Sequence, residues 1–411
     1  MRCAIVTGTR PEIVKLAPLV KELGAEAEVV YTGQHYDESL AGSFFDTFGM
    51  PRPADVVHIG GRTRGEQIGF GAASLSALWE SQPPDAVVVQ GDTNTALGGA
   101  LAANAVGIPL VHLEAGLRSF DRAMPEESNR VLVDHLSDLL LAPTSQAVEN
   151  LRAEHIDTQI ELVGNTIVEA VRAIMPRPEQ RASILAAYGV RPNDFVLATI
   201  HRPENTDDPD VLACILEQFG KLDTDMPVLF SMHPRTRARI EAFGLDYLLG
   251  AVRVVEPLDY PSFLGMSAEA GVLVSDSGGV QEEVSVHKRP LVVVRRSTER
   301  PEVVGTFTRL VAPDGICDAA QAWIHDLDAH HRYLAALPCP YGAGNAARLS
   351  ADAIGALAAG RSSITTRRMP DVRSEGRDAR HHAREETAAQ HPSGVAGIQR
   401  GEVAPVAATT V

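Results

Sequence analysis

Acidic and basic side chains in this sequence recur just past short apolar runs, beside glycines that let a chain turn. The first such place is Thr7-Gly8-Thr9-Arg10-Pro11-Glu12. Glycine permits a tight turn, proline suits the first helical position, and Arg10 and Lys15 flank a helix start where an anion can bind. A capped helix with exposed basic residues accounts for the same letters. Val89-Gln90-Gly91-Asp92-Thr93-Asn94-Thr95 places a carboxylate that either caps a helix or faces a ligand, and His112-Leu113-Glu114-Ala115-Gly116-Leu117-Arg118-Ser119 adds another. In Pro125-Glu126-Glu127-Ser128-Asn129-Arg130, Glu126 stands one helical turn from Arg130, the spacing of a surface ion pair. Together Asp92, Glu114 and Glu126 read as strand-end acids converging on one sheet edge. Carboxylates in unlike surroundings can divide acid and base work there.

The second half carries different chemistry. Thr199-Ile200-His201-Arg202-Pro203-Glu204-Asn205 ends an apolar run with an imidazole beside a guanidinium, and Met232-His233-Pro234-Arg235 does so again. No H-x-x-x-H or H-E-x-x-H spacing surrounds either histidine, so metal ligation is the weaker reading. Ser275-Asp276-Ser277-Gly278-Gly279-Val280-Gln281-Glu282-Glu283 is the sharpest signal. Ser277 and the backbone N–H groups at Gly278 and Gly279 can cradle a phosphate, and an acid one turn later can accept from ribose hydroxyls. A glycine turn before a capped helix is the alternative. Thr298-Glu299-Arg300-Pro301-Glu302 offers a further cation to a diphosphate. Neither G-x-G-x-x-G nor G-x-x-x-x-G-K-[ST] occurs, which weakens NAD and ATP readings.

These groups need a scaffold that brings them together. Apolar runs at 3–6, 86–89, 110–113 and 139–142 alternate with helix-period segments such as 93–106 and 129–136. After a break at Met175-Pro176-Arg177-Pro178 the alternation restarts with runs at 195–198, 228–230, 252–255, 272–274 and 291–294. That order predicts an α/β fold of two Rossmann-like domains with parallel sheets, 1–175 and 176–343, facing across a cleft. From 361 to 411 there is no Phe, Tyr or Trp and no apolar period, which predicts a disordered tail.

Composition narrows the classes of function. The 411 residues carry 37 Lys+Arg against 53 Asp+Glu, a formal net charge of −16. That balance disfavours nucleic-acid binding by net charge, so any phosphate must be held locally. Cys3, Cys214, Cys317 and Cys339 lie far apart without C-x-x-C spacing, which points away from disulfides and structural zinc and toward a reduced, cytoplasmic setting. The early glycine Gly8 and the lack of a long apolar stretch predict an unprocessed chain with no membrane span.

The ordered motifs, from Gly8-Thr9-Arg10-Pro11-Glu12 through Gly91-Asp92-Thr93, His112 to Ser119, Pro125 to Arg130, His201-Arg202, Asp276 to Glu283 and Thr298 to Glu302, make the sequence specific. It resembles the non-hydrolysing UDP-N-acetylglucosamine 2-epimerase family from Met1 to about Gly360. The resemblance implies a GT-B-like fold, with sugar chemistry in the first domain, UDP in the second, and a final helix at 344–360 returning to the first. It implies interconversion of UDP-GlcNAc and UDP-ManNAc by a homodimer, without nicotinamide or metal, through elimination of UDP to a bound 2-acetamidoglucal and its re-addition. By motif match Ser277, Gly278 and Gly279 hold the diphosphate with Arg10 and Arg300, Glu283 binds ribose, and Leu258 and Phe263 surround uracil. Lys15, Asp92, Glu114, Glu126 and His201 line the sugar and the reacting centre. Gln34 and His35 match part of a second, regulatory UDP-GlcNAc site in bacterial members, although Tyr36-Asp37-Glu38 departs from that pattern. Two further departures are His287, where the family commonly has glycine, and Pro338-Cys339-Pro340-Tyr341-Gly342-Ala343-Gly344, which lacks the usual Asn and Asp.

Rival readings are a hydrolysing relative releasing UDP and N-acetylmannosamine, a 2-epimerase of a modified UDP-sugar, a GT-B glycosyltransferase, and a non-catalytic UDP-sugar sensor. Retention of the candidate acids and of His201 speaks against the sensor.

Overall fold

The computed structural model describes residues 1–34, 38–250 and 252–363, so the predicted tail falls almost wholly outside the described residues. The first sheet contains β1 (Cys3–Thr7), β2 (Ala27–Tyr31), β3 (Asp55–Val56), β4 (Ala86–Gln90), β5 (Leu110–Leu113), β6 (Leu139–Ala142) and β7 (Gln159–Leu162). The second contains β8 (Val196–Thr199), β9 (Val228–Ser231), β10 (Arg253–Val255), β11 (Val272–Ser275), β12 (Leu291–Val294) and β13 (Thr308–Val311). Their orders are β3-β2-β1-β4-β5-β6-β7 and β10-β9-β8-β11-β12-β13, with every pairing parallel. Both are doubly wound Rossmann-like sheets, the GT-B-like plan, and each reverses direction at its centre, between β1 and β4 and between β8 and β11. Ligands bind at such switch points, beyond the carboxyl ends of the strands.

Continuous apolar runs form these strands because helices cover both sheet faces. In the first sheet Ile5, Val88 and Leu113 pack on one face with Leu16 and Ile354, whereas Val6, Val87 and Val89 pack on the other with Leu75 and Ala100. Ile354 belongs to the last helix, Ala346–Ser363, which thereby joins the core of the first sheet. The two halves also share a core. Val14, Ile167 and Val171 from the first pack with Leu197, Leu273, Val280 and Val284 of the second. Fully burying one such side chain contributes about 1.5–3 kcal/mol. Among the described residues no helix is long and apolar enough to cross a membrane.

Candidate active site

At the carboxyl ends of β1, β4 and β5, opposite the turn after β11, lies a cavity of about 410 Å³. Lys15, Asp92, Glu114, Glu126, Gly279 and Arg300 all line it. Backbone geometry sets the position of Glu114, which takes φ 71° immediately after β5. A non-glycine residue held in that left-handed region costs on the order of 1–3 kcal/mol, so the surrounding structure must enforce it. Gly116 follows at φ 82°, where an added Cβ would come within 2.4 Å of the Ala147 carbonyl oxygen.

Glu114 is gripped from both halves of the molecule. Lys15 Nζ lies 2.6 Å from its Oε1, Arg300 donates to the same oxygen at 3.2 Å, and Gln90 donates to Oε2. Glu282, fully buried on the helix Gly278–His287, answers the same cations: its Oε2 is 2.8 Å from Lys15 Nζ and its Oε1 accepts from Arg300 Nε at 2.8 Å. Burial raises the Glu114 pKa above the ordinary carboxylate range, against the pull of Lys15. Burial also acts on Glu282, but there Arg300 and Lys15 outweigh it and lower the pKa. One acid inclined to hold a proton beside one inclined to release it is the arrangement that separates acid from base work.

Glu126 is exposed in the first turn of the helix Pro125–Leu136, not at a strand end, and Arg130 does not pair with it. Arg130 instead meets Glu127 at 2.6 Å and also Asp92. The expected surface pair is thus replaced by a buried guanidinium that joins this helix to the β4 turn, while Glu126 stays free on the cavity wall. Asn129 helps to fix the same wall, donating to the Asp92 carbonyl at 2.8 Å.

Other expected groups lie around this centre. Gly279 lines the cavity, and no side chain caps the helix that begins at Gly278. At Gly278 an added Cβ would lie 3.2 Å from Glu299 Oε1. Glu283 Oε1 accepts from the Tyr260 hydroxyl at 2.9 Å, its Oε2 is buried without a partner, and burial pushes the carboxyl up to about 7. Leu258 and Phe263 are half-buried against the shared core. Arg10 lies with its guanidinium 5.5 Å from the Phe44 ring centre. Arg10, His201, Ser277, Gly278, Glu283, Leu258 and Phe263 do not line the main cavity. His201 Nδ1 is 3.1 Å from Asp276, which also accepts from the His201 and Arg202 backbone N–H groups. Gln34 lines the main cavity, and its Oε1 accepts from the Thr95 N–H and hydroxyl, each at 2.9 Å. His35 lies outside the described residues.

Four residues that hold this geometry together were not singled out from the sequence: Glu282, Asp276, Glu299 and Glu12. Each stands inside a quoted motif, but its partners come from distant segments. Glu299 is buried against Arg295 and Arg300, and although burial opposes it, these with Arg130 and Arg202 drive its pKa down. The left-handed helix end falls on Lys288, at φ 64°, and not on His287, so the conformation that favours glycine is one residue later than the motif match implied.

A family model described as UDP-N-acetylglucosamine 2-epimerase matches residues 19–355. The UDP-N-acetylglucosamine 2-epimerase of Methanocaldococcus jannaschii is 41% identical over 325 residues, covering 76% of this chain and 89% of its own. A crystal structure of that organism's UDP-GlcNAc 2-epimerase, in complex with UDP-GlcNAc and UDP, aligns with TM-score 0.77 at 37% identity over 87% of this chain and 100% of its own. The UDP-2,3-diacetamido-2,3-dideoxy-D-glucuronate 2-epimerase of Pseudomonas aeruginosa is 36% identical over 312 residues, 74% of this chain and 86% of its own.

Proposed function

Because the chain belongs to the UDP-N-acetylglucosamine 2-epimerase family and is an isomerase, we propose that it interconverts UDP-GlcNAc and UDP-ManNAc without hydrolysis. The observation that carries this reading is the single cavity in which Asp92, Glu114 and Glu126 face Lys15 and Arg300. UDP sits on the uncapped turn at Ser277, Gly278 and Gly279, where backbone N–H groups and Arg300 receive the diphosphate, with Arg10 as an outer cation. The unpartnered Glu283 oxygen accepts from ribose, and Leu258 and Phe263 border the base. The sugar then points toward the carboxylates.

In the forward step a carboxylate takes the C2 proton, the electron pair forms the C1–C2 double bond, and the C1–O bond breaks to release UDP within the site. Lys15, Arg300 and His201 answer the charge that develops on the departing diphosphate. In the return step UDP oxygen rejoins C1 while C2 is protonated on its opposite face. The core that the two halves share holds the walls of the cleft together, so that UDP stays beside the sugar for recombination. The Pseudomonas relative supports a second reading, in which the same chemistry acts on a modified UDP-sugar.

Incubating the purified chain with UDP-GlcNAc alone in deuterated water tests the reading. Intact UDP-GlcNAc and UDP-ManNAc with deuterium at C2 is the expected outcome. Free UDP with N-acetylmannosamine would replace it with hydrolysis. No conversion of UDP-GlcNAc, with turnover of a UDP-uronate in a parallel incubation, would favour the second reading.

A further inference from the structure

The proposed reaction makes no use of His287. It closes a ten-residue helix whose first turn faces the active cavity, and so lies about 15 Å away along that helix. A separate cavity of about 380 Å³ opens here, lined among others by Arg172, Met175, Arg181, Glu269, His287 and Arg289. Met175 and Arg181 flank the Pro176-Arg177-Pro178 linker that joins the two halves.

Three guanidiniums face one carboxylate in this lining. Arg181 Nε lies 2.6 Å from Glu269, and its Nη1 donates to the Pro176 carbonyl at 2.9 Å. Arg289 donates to the Ala268 carbonyl at 2.6 Å and lies 2.6 Å from His331 Nδ1, while Arg172 donates to the Ala343 carbonyl at 2.6 Å. Each guanidinium is therefore oriented by the protein while part of its donor fork stays uncommitted. Both His287 ring nitrogens are buried, and neither has a hydrogen-bond partner beyond its own backbone. Burial, reinforced by Arg289, pushes the imidazole down to about 3, so at neutral pH it keeps one N–H to donate. A buried donor without an acceptor, beside cations without matching anions, is unfavourable unless something fills the space.

We propose that this cavity binds a phosphate group, free or as the terminus of a phosphate ester, held by Arg172, Arg181 and Arg289 with the His287 N–H. Guanidinium forks match phosphate oxygens in geometry and charge, whereas Glu269 stays engaged by Arg181. The bound group ties the helices on either side of the linker to the end of the helix Gly278–His287.

The test titrates the full chain with inorganic phosphate at constant ionic strength set by potassium chloride, with saturating UDP present and again without it. Melting temperature and the His287 imidazole resonance, assigned by comparison with His287→Leu, are followed together. The expected result is saturable binding with a dissociation constant in the low millimolar range and the same midpoint in both signals. Arg172→Ala, at an exposed position, should weaken it at least fivefold. Glucose 1-phosphate binding more tightly than phosphate would assign the remaining space to an ester, and weaker binding would assign the site to the free anion. A response that does not saturate, that chloride reproduces, or that persists unchanged in Arg172→Ala overturns the proposal, whether or not UDP binds elsewhere.

Discussion

Two strand-to-helix turns of the same outline meet different fates in this molecule. In the turn after β1, Glu12 folds back on its own helix start: its Oε2 accepts the Gly8 and Thr9 N–H groups at 2.9 and 2.7 Å, and its Oε1 accepts the Thr93 hydroxyl at 2.6 Å. Gly8 is obligatory there, since an added Cβ would lie 2.1 Å from both Thr32 Oγ1 and Thr95 Oγ1. In the turn after β11 no side chain caps the helix, and Gly279 opens onto the cavity. A helix start attracts an anion in either case. The first turn fills that position with its own carboxyl and becomes part of the scaffold; the second leaves the position open and can receive a ligand.

The largest effect should come from the wall beyond the open turn. Asp92→Asn, Glu114→Gln and Glu126→Gln should each cut turnover by roughly a hundred- to ten-thousand-fold while leaving UDP affinity within a few-fold, because general acids and bases contribute on that order. Calorimetric UDP titrations beside turnover assays check this, and a loss below tenfold in all three would falsify their direct role.

At the open turn itself, Arg300→Ala should weaken UDP binding by roughly ten- to a hundred-fold, the scale of a hydrogen-bonded charged partner. Gly279→Leu should do likewise by filling the approach to the turn. Arg10→Ala, beside the closed turn, should cost less than about fivefold, since partly exposed charges contribute little. Equal losses for Arg10 and Arg300 variants in equilibrium binding would erase the distinction between the turns.

The smallest effect concerns the closed turn. Burial pushes Glu12 up to about 7 from 4.5, against the hydrogen bonds that favour its ionised form. The folded chain thus holds this proton more tightly than the unfolded chain does. Its stabilising contribution is full below about 4.5 and is lost as pH rises through about 7. In Glu12→Gln the amide oxygen can accept from Gly8 and Thr9 while the amide nitrogen faces Thr93. The difference between the melting curves of the parent chain and Glu12→Gln should then change with pH between these limits by the share of one carboxyl, while Glu114 and Glu283, raised by burial, and His287, lowered by it, keep their own contributions in both. A difference that does not change with pH would mean that Glu12 is ionised throughout.

The central strands were legible in the sequence because both of their faces are buried. The runs at 110–113, 139–142 and 291–294 coincide with β5, β6 and β12. β7 and β13 were not legible, because edge strands exposed on one side carry mixed residues such as Gln159, Glu161 and Arg309. The candidate site followed the same division. Asp92, Glu114 and Gly279 stand at turns that glycine and strand-end patterning mark directly. Glu282 reads as one of two adjacent acids on a helix, and only the folded chain shows it facing Lys15, 267 residues away. Glu127 rather than Glu126 pairs with Arg130 in the folded chain, where Arg130 also meets Asp92 after β4, a partner that spacing alone does not specify.

Lys15 and Glu114 belong to the first half of the chain, and Glu282 and Arg300 to the second. Each wall of the cleft therefore brings its own cation and its own anion, and the empty cluster is balanced. On the proposed binding mode a diphosphate adds at least two negative charges beside Arg300, next to a Glu114 that burial already inclines toward protonation. The ligand should consequently draw a proton out of solution as it binds, and the heat of binding should vary with the ionisation enthalpy of the buffer. The occupied enzyme would then begin its cycle one exchangeable hydrogen richer than the free chain, at the site where a C–H bond is to be broken and remade.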